Sequence, residues 1–301
     1  MKKLIILLVV LFSSQSFARN PGIEVINPLA YKRVLAISDV HGMYDQLLKL
    51  LVDGEIINAN KKWIAQNTLL IIAGDSIDKG PQSLDVIDLW NSLSTEAKTH
   101  GGRVAYALGN HEAQLLADTT GTGMNAEFAK EVAARGYTYD QIVSPDSKYG
   151  SYLRSLPGFV SVGKWLFFHA GLIPPGDFKT TLRRVAEALQ KGDYQNDIII
   201  GEDSFLEQKD WWQNDLEGNL ARLTQAGYYG VVFGHKPKAF GAEGKITFVK
   251  DRILKIDSGM PPPSGSHPGE ILVFESPMEL LLESPPQQVF AISNGKKRSL
   301  R

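Results

Sequence analysis

Residues 33–42 read Arg33-Val34-Leu35-Ala36-Ile37-Ser38-Asp39-Val40-His41-Gly42, a short apolar run that stops on a carboxylate, an imidazole and a glycine. A run of this length without polar alternation suits a strand covered on both faces, as in a parallel sheet between helices. The same pattern returns twice. Thr68-Leu69-Leu70-Ile71-Ile72-Ala73 runs into Gly74-Asp75-Ser76-Ile77-Asp78-Lys79-Gly80, and Arg103-Val104-Ala105-Tyr106-Ala107-Leu108 runs into Gly109-Asn110-His111-Glu112. Between these runs, Tyr44 to Val52 and Leu84 to Leu93 carry leucines at mostly helical spacing. The order strand, helix, strand, helix, strand predicts an α/β domain. In open α/β sheets ligands gather beyond the carboxyl ends of the strands, so the three polar turns are expected to share one site.

Downstream, residues 118–157 change character: Thr119-Thr120-Gly121-Thr122-Gly123, a helix expected from Asn125 to Arg135, and loops before Leu156-Pro157-Gly158. They read as an insertion or cap over the site. Strands are expected again at Trp165–Phe168, Gly230–Phe233, Ile246–Val249, Ile253–Ile256 and Ile271–Phe274, with residues 181–227 mainly helical. Asn294 to Arg301 is basic and lacks apolar periodicity. The domain is therefore expected over 19–285, with a C-terminal tail at 286–301 that frays from Asn294 to Arg301.

With 301 residues and 43% hydrophobic composition, the chain can bury a full core, which excludes a disordered or fibrous class. Its 32 basic and 33 acidic residues leave a charge of −1 and no global field to draw a polyanion, so nucleic acid is not an expected partner. There is no cysteine, so any metal must be held by oxygen and nitrogen. The first 18 residues have the form of a secretory signal: Lys2 and Lys3, the apolar run Leu4 to Phe12, then small and polar residues up to Ala18. Nine apolar residues are too few to cross a bilayer core of about 30 Å, so cleavage after Ala18 and no stable membrane anchor are expected. The leader is of a bacterial kind, which makes the periplasm the expected compartment. Nothing in the sequence specifies an oligomeric state.

Four of the six histidines stand beside Gly, Asn or Asp at an expected strand end: His41, His111, His169 in Phe168-His169-Ala170-Gly171, and His235 in Gly234-His235-Lys236. His100 and His267 lack that setting. One such histidine is ordinarily structural, but four in parallel settings point to a ligand cluster. Asp39 and His41, two apart on an extended segment, project to one side. Donors of Asp, Asn and His type suit manganese, iron or zinc better than a calcium cage.

These ordered motifs resemble those of the calcineurin-like metallophosphoesterases: Asp-x-His at Asp39 to His41, Gly-Asp-x-x-Asp at Gly74 to Asp78, Gly-Asn-His-Glu at Gly109 to Glu112, His-Ala-Gly at His169 to Gly171 and Gly-His at Gly234-His235. Gly80-Pro81 and Ile256-Asp257-Ser258-Gly259-Met260 make the phosphoprotein-phosphatase branch, and within it the bacterial Shewanella-like phosphatases, the nearest in pattern. The resemblance implies two mixed β-sheets packed as a sandwich and flanked by α-helices. It implies two transition-metal ions, divalent or trivalent: Asp39 and His41 on the first, Asn110, His169 and His235 on the second, and Asp75 bridging. A hydroxide held between the ions would attack phosphorus, with His111 as general acid oriented by Asp78. The substrate so implied is a phosphomonoester, first a phosphoprotein or phosphopeptide. A nucleotide or diadenosine-tetraphosphate phosphohydrolase is the alternative enzyme, and a catalytically silent metal-binding protein the alternative of another class.

The chain departs from the protein-phosphatase pattern at two places where arginine is usual, carrying Lys79 and Leu108-Gly109 instead. Lysine offers a point charge rather than a planar fork, so the phosphate clamp must be built differently. Lys79 and Arg154 are the candidate substrate-binding cations. Trp211-Trp212 reads first as a packing or lid pair.

Overall fold

The three apolar runs that open the chain do form adjacent strands, and they sit within two six-stranded sheets. The computed structural model describes residues 21–118, 120, 126–171, 178–241, 243–262, 267–275, 278–283 and 286–301, so the leader expected at 1–18 lies outside it. The strands are β1 (Ile23–Ile26), β2 (Arg33–Ile37), β3 (Thr68–Ala73), β4 (Arg103–Ala107), β5 (Phe159–Val162), β6 (Trp165–Phe168), β7 (Gly230–Phe233), β8 (Thr247–Val249), β9 (Ile253–Lys255), β10 (Ile271–Glu275), β11 (Val289–Ser293) and β12 (Lys296–Ser299). One sheet runs β1-β5-β6-β7-β9-β8, the other β12-β11-β10-β2-β3-β4, and both mix parallel with antiparallel pairs.

Period-two alternation divides each strand between two cores. In β2, Val34 and Ala36 join Ala73, Ala105, Phe167 and Leu254 in the layer between the sheets, while Leu35 and Ile37 join the helices. Trp165 and Phe167 of one sheet meet Phe274 of the other at ring-centroid distances of 5.4 and 6.4 Å. Both faces of β3 are therefore covered, and every one of its residues is buried. Helices α1 (Tyr44–Asp53) and α2 (Ser83–Thr99) make the crossovers β2 to β3 and β3 to β4, and α3 (Asn110–Ala117) follows β4.

The segment read as an insertion carries α4 (Ala126–Ala134), α5 (Tyr139–Val143) and α6 (Lys148–Arg154). α4 packs on α2 and α6 on α3. Both carboxylate oxygens of Glu131 accept the Leu84 amide, at 3.0 and 3.1 Å, placing negative charge at the N-terminus of α2. The region expected to be mainly helical holds α7 (Phe178–Lys191), α8 (Asp197–Ile200), α9 (Trp211–Asn214) and α10 (Leu216–Gln225).

One expectation is overturned. Residues 286–301 are not a tail with a frayed end: β11 pairs antiparallel with β10, and β12 with β11. Val289 and Ala291 are buried, and the Arg298 guanidinium bonds Glu270 at 2.7 Å. The hairpin turns at Asn294-Gly295, both left-handed (φ 48° and 67°), the pair that a tight two-residue turn requires. The domain therefore runs to the C-terminal hairpin rather than ending at 285.

Candidate metal centre

β2, β3 and β4 of one sheet and β6 and β7 of the other all end on the same edge, and each delivers a polar turn there. Asp39, His41, Asp75, Asp78, Lys79 and His235 all adopt left-handed backbone, with φ between 47° and 71°. Each such residue costs about 1–3 kcal/mol and persists only where its surroundings dictate it. Here they do. The Asp39 amide donates to Gly74 O (3.1 Å), that of His41 to Asp75 O (2.9 Å), and that of Gly80 to His41 O (2.8 Å), lacing the two turns together. Gly74 (φ 81°) is needed for a second reason, since a Cβ there would lie 2.6 Å from His169 Nδ1.

The side chains converge on Asp75. Its Oδ2 lies 3.3 Å from His41 Nε2, 3.3 Å from His169 Nε2 and 3.8 Å from His111 Nε2. Asp39 Oδ1 is 3.8 Å from His41 Nε2. On the other side, His169 Nε2 is 2.7 Å from Asn110 Oδ1 and 3.0 Å from His235 Nδ1. Among the described residues two potential metal-binding groups result, His41/Asp75/His111 and Asp75/His169/His235, sharing Asp75. Backbone carbonyls set the tautomers: His41 Nδ1 faces Ile77 O and His169 Nδ1 faces Ala73 O, each at 3.0 Å, so both turn Nε2 toward the carboxylate.

Burial and the Asp75 carboxylate dominate the electrostatics of this donor set. Burial works to raise the pKa of Asp75, yet the neighbouring His169, His111 and His41 hold it well below the usual carboxylate range. Burial likewise works against a charged His169, but Asp75 outweighs it and pushes that imidazole up to about 10. His235 is pushed down to about 3, by burial and then by the His169 charge, and burial also drives His41 well below its ordinary value. Two neutral imidazoles, an amide oxygen and ionised carboxylate, packed around lone pairs that repel one another, fit a pair of transition-metal cations.

His111 differs from the others. Its Nδ1 lies 2.8 Å from Asp78 Oδ2, its amide donates to Asp75 Oδ1 at 3.1 Å, and its side chain is 17% exposed against 2% for His41 and 0% for His169. Burial opposes its charge, but Asp75 and the Asp78 bond raise its pKa. Although it falls geometrically within the first donor group, the dyad with Asp78 and the opening to solvent suit a proton donor better. Lys79 also joins the cluster, its Nζ 2.8 Å from His41 Nε2.

α6 carries the Arg154 guanidinium over the Tyr194 ring, 5.5 Å from the centroid, and its charge acts on the Tyr139 and Tyr194 hydroxyls. Leu108, where the related pattern has arginine nearby, is fully buried with its amide on Pro157 O. Trp211 and Trp212 are buried against Phe233, and the Trp211 indole N–H donates to Ala170 O at 3.1 Å, bracing the turn after His169.

Glu112 has a role that reading the sequence for ligands does not reveal. Fully buried, it accepts from the amides of Asp75 (2.9 Å), Ser76 (2.8 Å), Ile77 (3.3 Å) and Gly109 (3.0 Å) and from the Tyr106 hydroxyl (2.8 Å). Burial and the Asp75 charge raise its pKa, but five donors around two oxygens match an ionised, acceptor-only carboxylate. Its position three residues after Gly109, at the start of α3, is the capping-box spacing that marks it in sequence.

Set beside known proteins, the sequence profile of the calcineurin-like phosphoesterases matches residues 32–256, a span that contains every residue of the centre. The chain belongs to that family. It is 31% identical over 145 residues to Shewanella-like protein phosphatase 1 of Plasmodium berghei, covering 46% of this chain and 39% of that one. It is 33% identical over 192 residues to the symmetrical bis(5'-nucleosyl)-tetraphosphatase of Haemophilus influenzae, covering 62% and 61%. The matches thus span less than two thirds of either relative. In structure, the cold-active protein-tyrosine phosphatase of a psychrophilic Shewanella species superposes with a TM-score of 0.74 at 20% identity, over 93% of this chain and 82% of that one, which establishes the shared fold.

Proposed function

We propose that the chain is a metal-dependent phosphatase that hydrolyses phosphomonoesters, with a phosphorylated protein or peptide as substrate and manganese, iron or zinc as the ions. The observation that carries the catalytic reading is the His111–Asp78 pair at 2.8 Å, open to solvent beside two donor groups that share Asp75. A protein that only stores metal has no use for it.

Asp39, His41, Asp75, Asn110, His169 and His235 would hold the ions. Bound there, a two-metal pair supplies a water activated for in-line attack and neutralises charge on the phosphoryl oxygens. The chain's own residues do the rest. His111, its pKa raised by Asp75 and the Asp78 bond, gives its proton to the departing alcohol or phenol oxygen, a contribution of about 10²–10⁴-fold. Lys79, exposed and with its Nζ beside His41, places a cation at the edge of the cluster, where it can meet a phosphate oxygen as a point charge. Glu112 holds the Asp75 turn at one geometry.

Relatives named as protein phosphatases support the phosphoprotein reading. A second reading, hydrolysis of dinucleoside polyphosphates, is favoured by the longer match to the symmetrical tetraphosphatase. Rates on phosphotyrosine and phosphoserine peptides, simple nucleotides and diadenosine tetraphosphate, compared at equal metal, separate them. The proposal expects the peptides to turn over fastest; turnover of the dinucleotide alone would reverse it. We further infer export to the periplasm from the Lys2 to Ala18 leader, to be tested by cell fractionation and by the mass of the mature N-terminus.

A further inference from the structure

Lys255 closes β9 with its side chain wholly buried, an unusual place for an ammonium group. In the sheet it stands opposite Phe233, the residue that leads β7 into Gly234-His235. Among the described residues its Nζ donates to backbone carbonyls of separate segments: Pro237 (2.9 Å) just after His235, Lys245 (2.6 Å) before β8, and Asp257 (3.1 Å) after β9. A compact ammonium with three rotatable donors suits that task, where a planar guanidinium or an apolar side chain does not.

The turn held in this way is under several demands at once. His235 is left-handed (φ 64°), its amide is spent on the Asp39 carboxylate (2.9 Å to Oδ2), and its Nδ1 must lie within reach of both His169 Nε2 and Asn110 Oδ1. Backbone of that kind relaxes unless its neighbours pin it. Keeping a charge in this position is costly. Burial, only partly offset by Asp257 and Glu270, pushes the Lys255 pKa down to about 8, so the ammonium is retained at neutral pH against its own desolvation.

We propose that Lys255 is a positioning residue for the metal centre: by tying the carbonyls of Pro237, Lys245 and Asp257 together it holds the 235–237 turn so that the His235 imidazole stays in the donor cluster. The inference rests on the two-metal reading above.

The test is titration of chelator-stripped protein with Mn²⁺ alone by calorimetry, for the wild type, Lys255→Gln and Lys255→Met, and for His235→Ala with and without Lys255→Gln. Melting of each metal-free variant reports whether it folds, and Lys255→Gln, one atom shorter but with two N–H donors, serves if Lys255→Met does not. The expected result is one ion bound as in the wild type and the other about 10–100-fold more weakly in the Lys255 variants. In the His235→Ala background Lys255→Gln should add nothing. Wild-type affinity for both ions in the Lys255 variants, or equal weakening of both, or the same loss with His235 already gone, overturns the inference. A wild type that binds fewer than two ions overturns the metal-centre reading instead.

Discussion

Replacing Glu112 by Gln keeps the shape of the side chain and removes half of its accepting power. Oε1 receives Ser76, Ile77 and Tyr106, and Oε2 receives Asp75 and Gly109. Whichever oxygen is kept, an NH₂ group then faces at least two donors that it cannot satisfy. Each buried donor left without a partner costs about 1–3 kcal/mol, so two cost about 4 kcal/mol together. For a domain of this size that is roughly 8 °C in Tm. The same change frees the amides of Asp75 and its neighbours, so metal affinity should fall about 10–100-fold, as when other groups that orient ligands are removed. Thermal melting of the metal-free protein and Mn²⁺ titration of the same samples check both numbers. If Glu112→Gln melts within about 1 °C of the wild type and binds metal equally well, the assignment of Glu112 as the anchor of the Asp75 turn is wrong.

His111→Ala should lower kcat about 10²–10⁴-fold while leaving bound metal unchanged, measured on an aryl phosphate and by metal analysis. His111 is raised by Asp75 and Asp78, so the acid is present below its folded pKa and the rate falls as pH rises through it. Asp78→Asn removes one of the raising partners, so the alkaline limb of the pH–kcat profile should move to lower pH; an unmoved limb would remove Asp78 from that role. Arg154→Gln should leave kcat/KM within about twofold, because its guanidinium packs on Tyr194 in a contact worth about 0.5–2 kcal/mol of stability, and a tenfold loss on a phosphopeptide would put it at the substrate after all. Deleting residues 286–301 uncovers β10 and exposes Val289's site, costing at least about 1.5–3 kcal/mol, visible as a lower Tm or as insoluble expression.

The strands that feed the centre were legible because burial on both faces leaves an uninterrupted apolar run, as in Leu69 to Ala73, and because each run stops on its functional residue. β1 (Ile23-Glu24-Val25-Ile26) and β5 (Phe159-Val160-Ser161-Val162) were not, since Glu24 and Ser161 interrupt runs only four residues long. The C-terminal hairpin was hidden by its charge: Lys296 to Ser299 is exposed, as suits an edge strand, and only Asn294-Gly295 signalled the turn. Asp39, His41, Asp75, Asn110, His169 and His235 could be grouped as one candidate cluster from spacing and resemblance, and their side chains do come together. Arg154 could not be placed, because which way α6 faces depends on its packing against α3 and Tyr194. Glu112 and Lys255 escaped for a related reason. Both act on backbone groups of distant turns, and such partners leave no spacing in the sequence.

The most direct test of the two-metal account is to titrate chelator-stripped protein with Mn²⁺ while following aryl phosphate hydrolysis and bound metal in the same samples. The account predicts negligible turnover in the stripped protein, full turnover as two ions bind per chain, and loss of both metal and turnover in Asp75→Asn. Undiminished hydrolysis by stripped, folded protein, or two bound ions with no hydrolysis of any phosphoester, would contradict it.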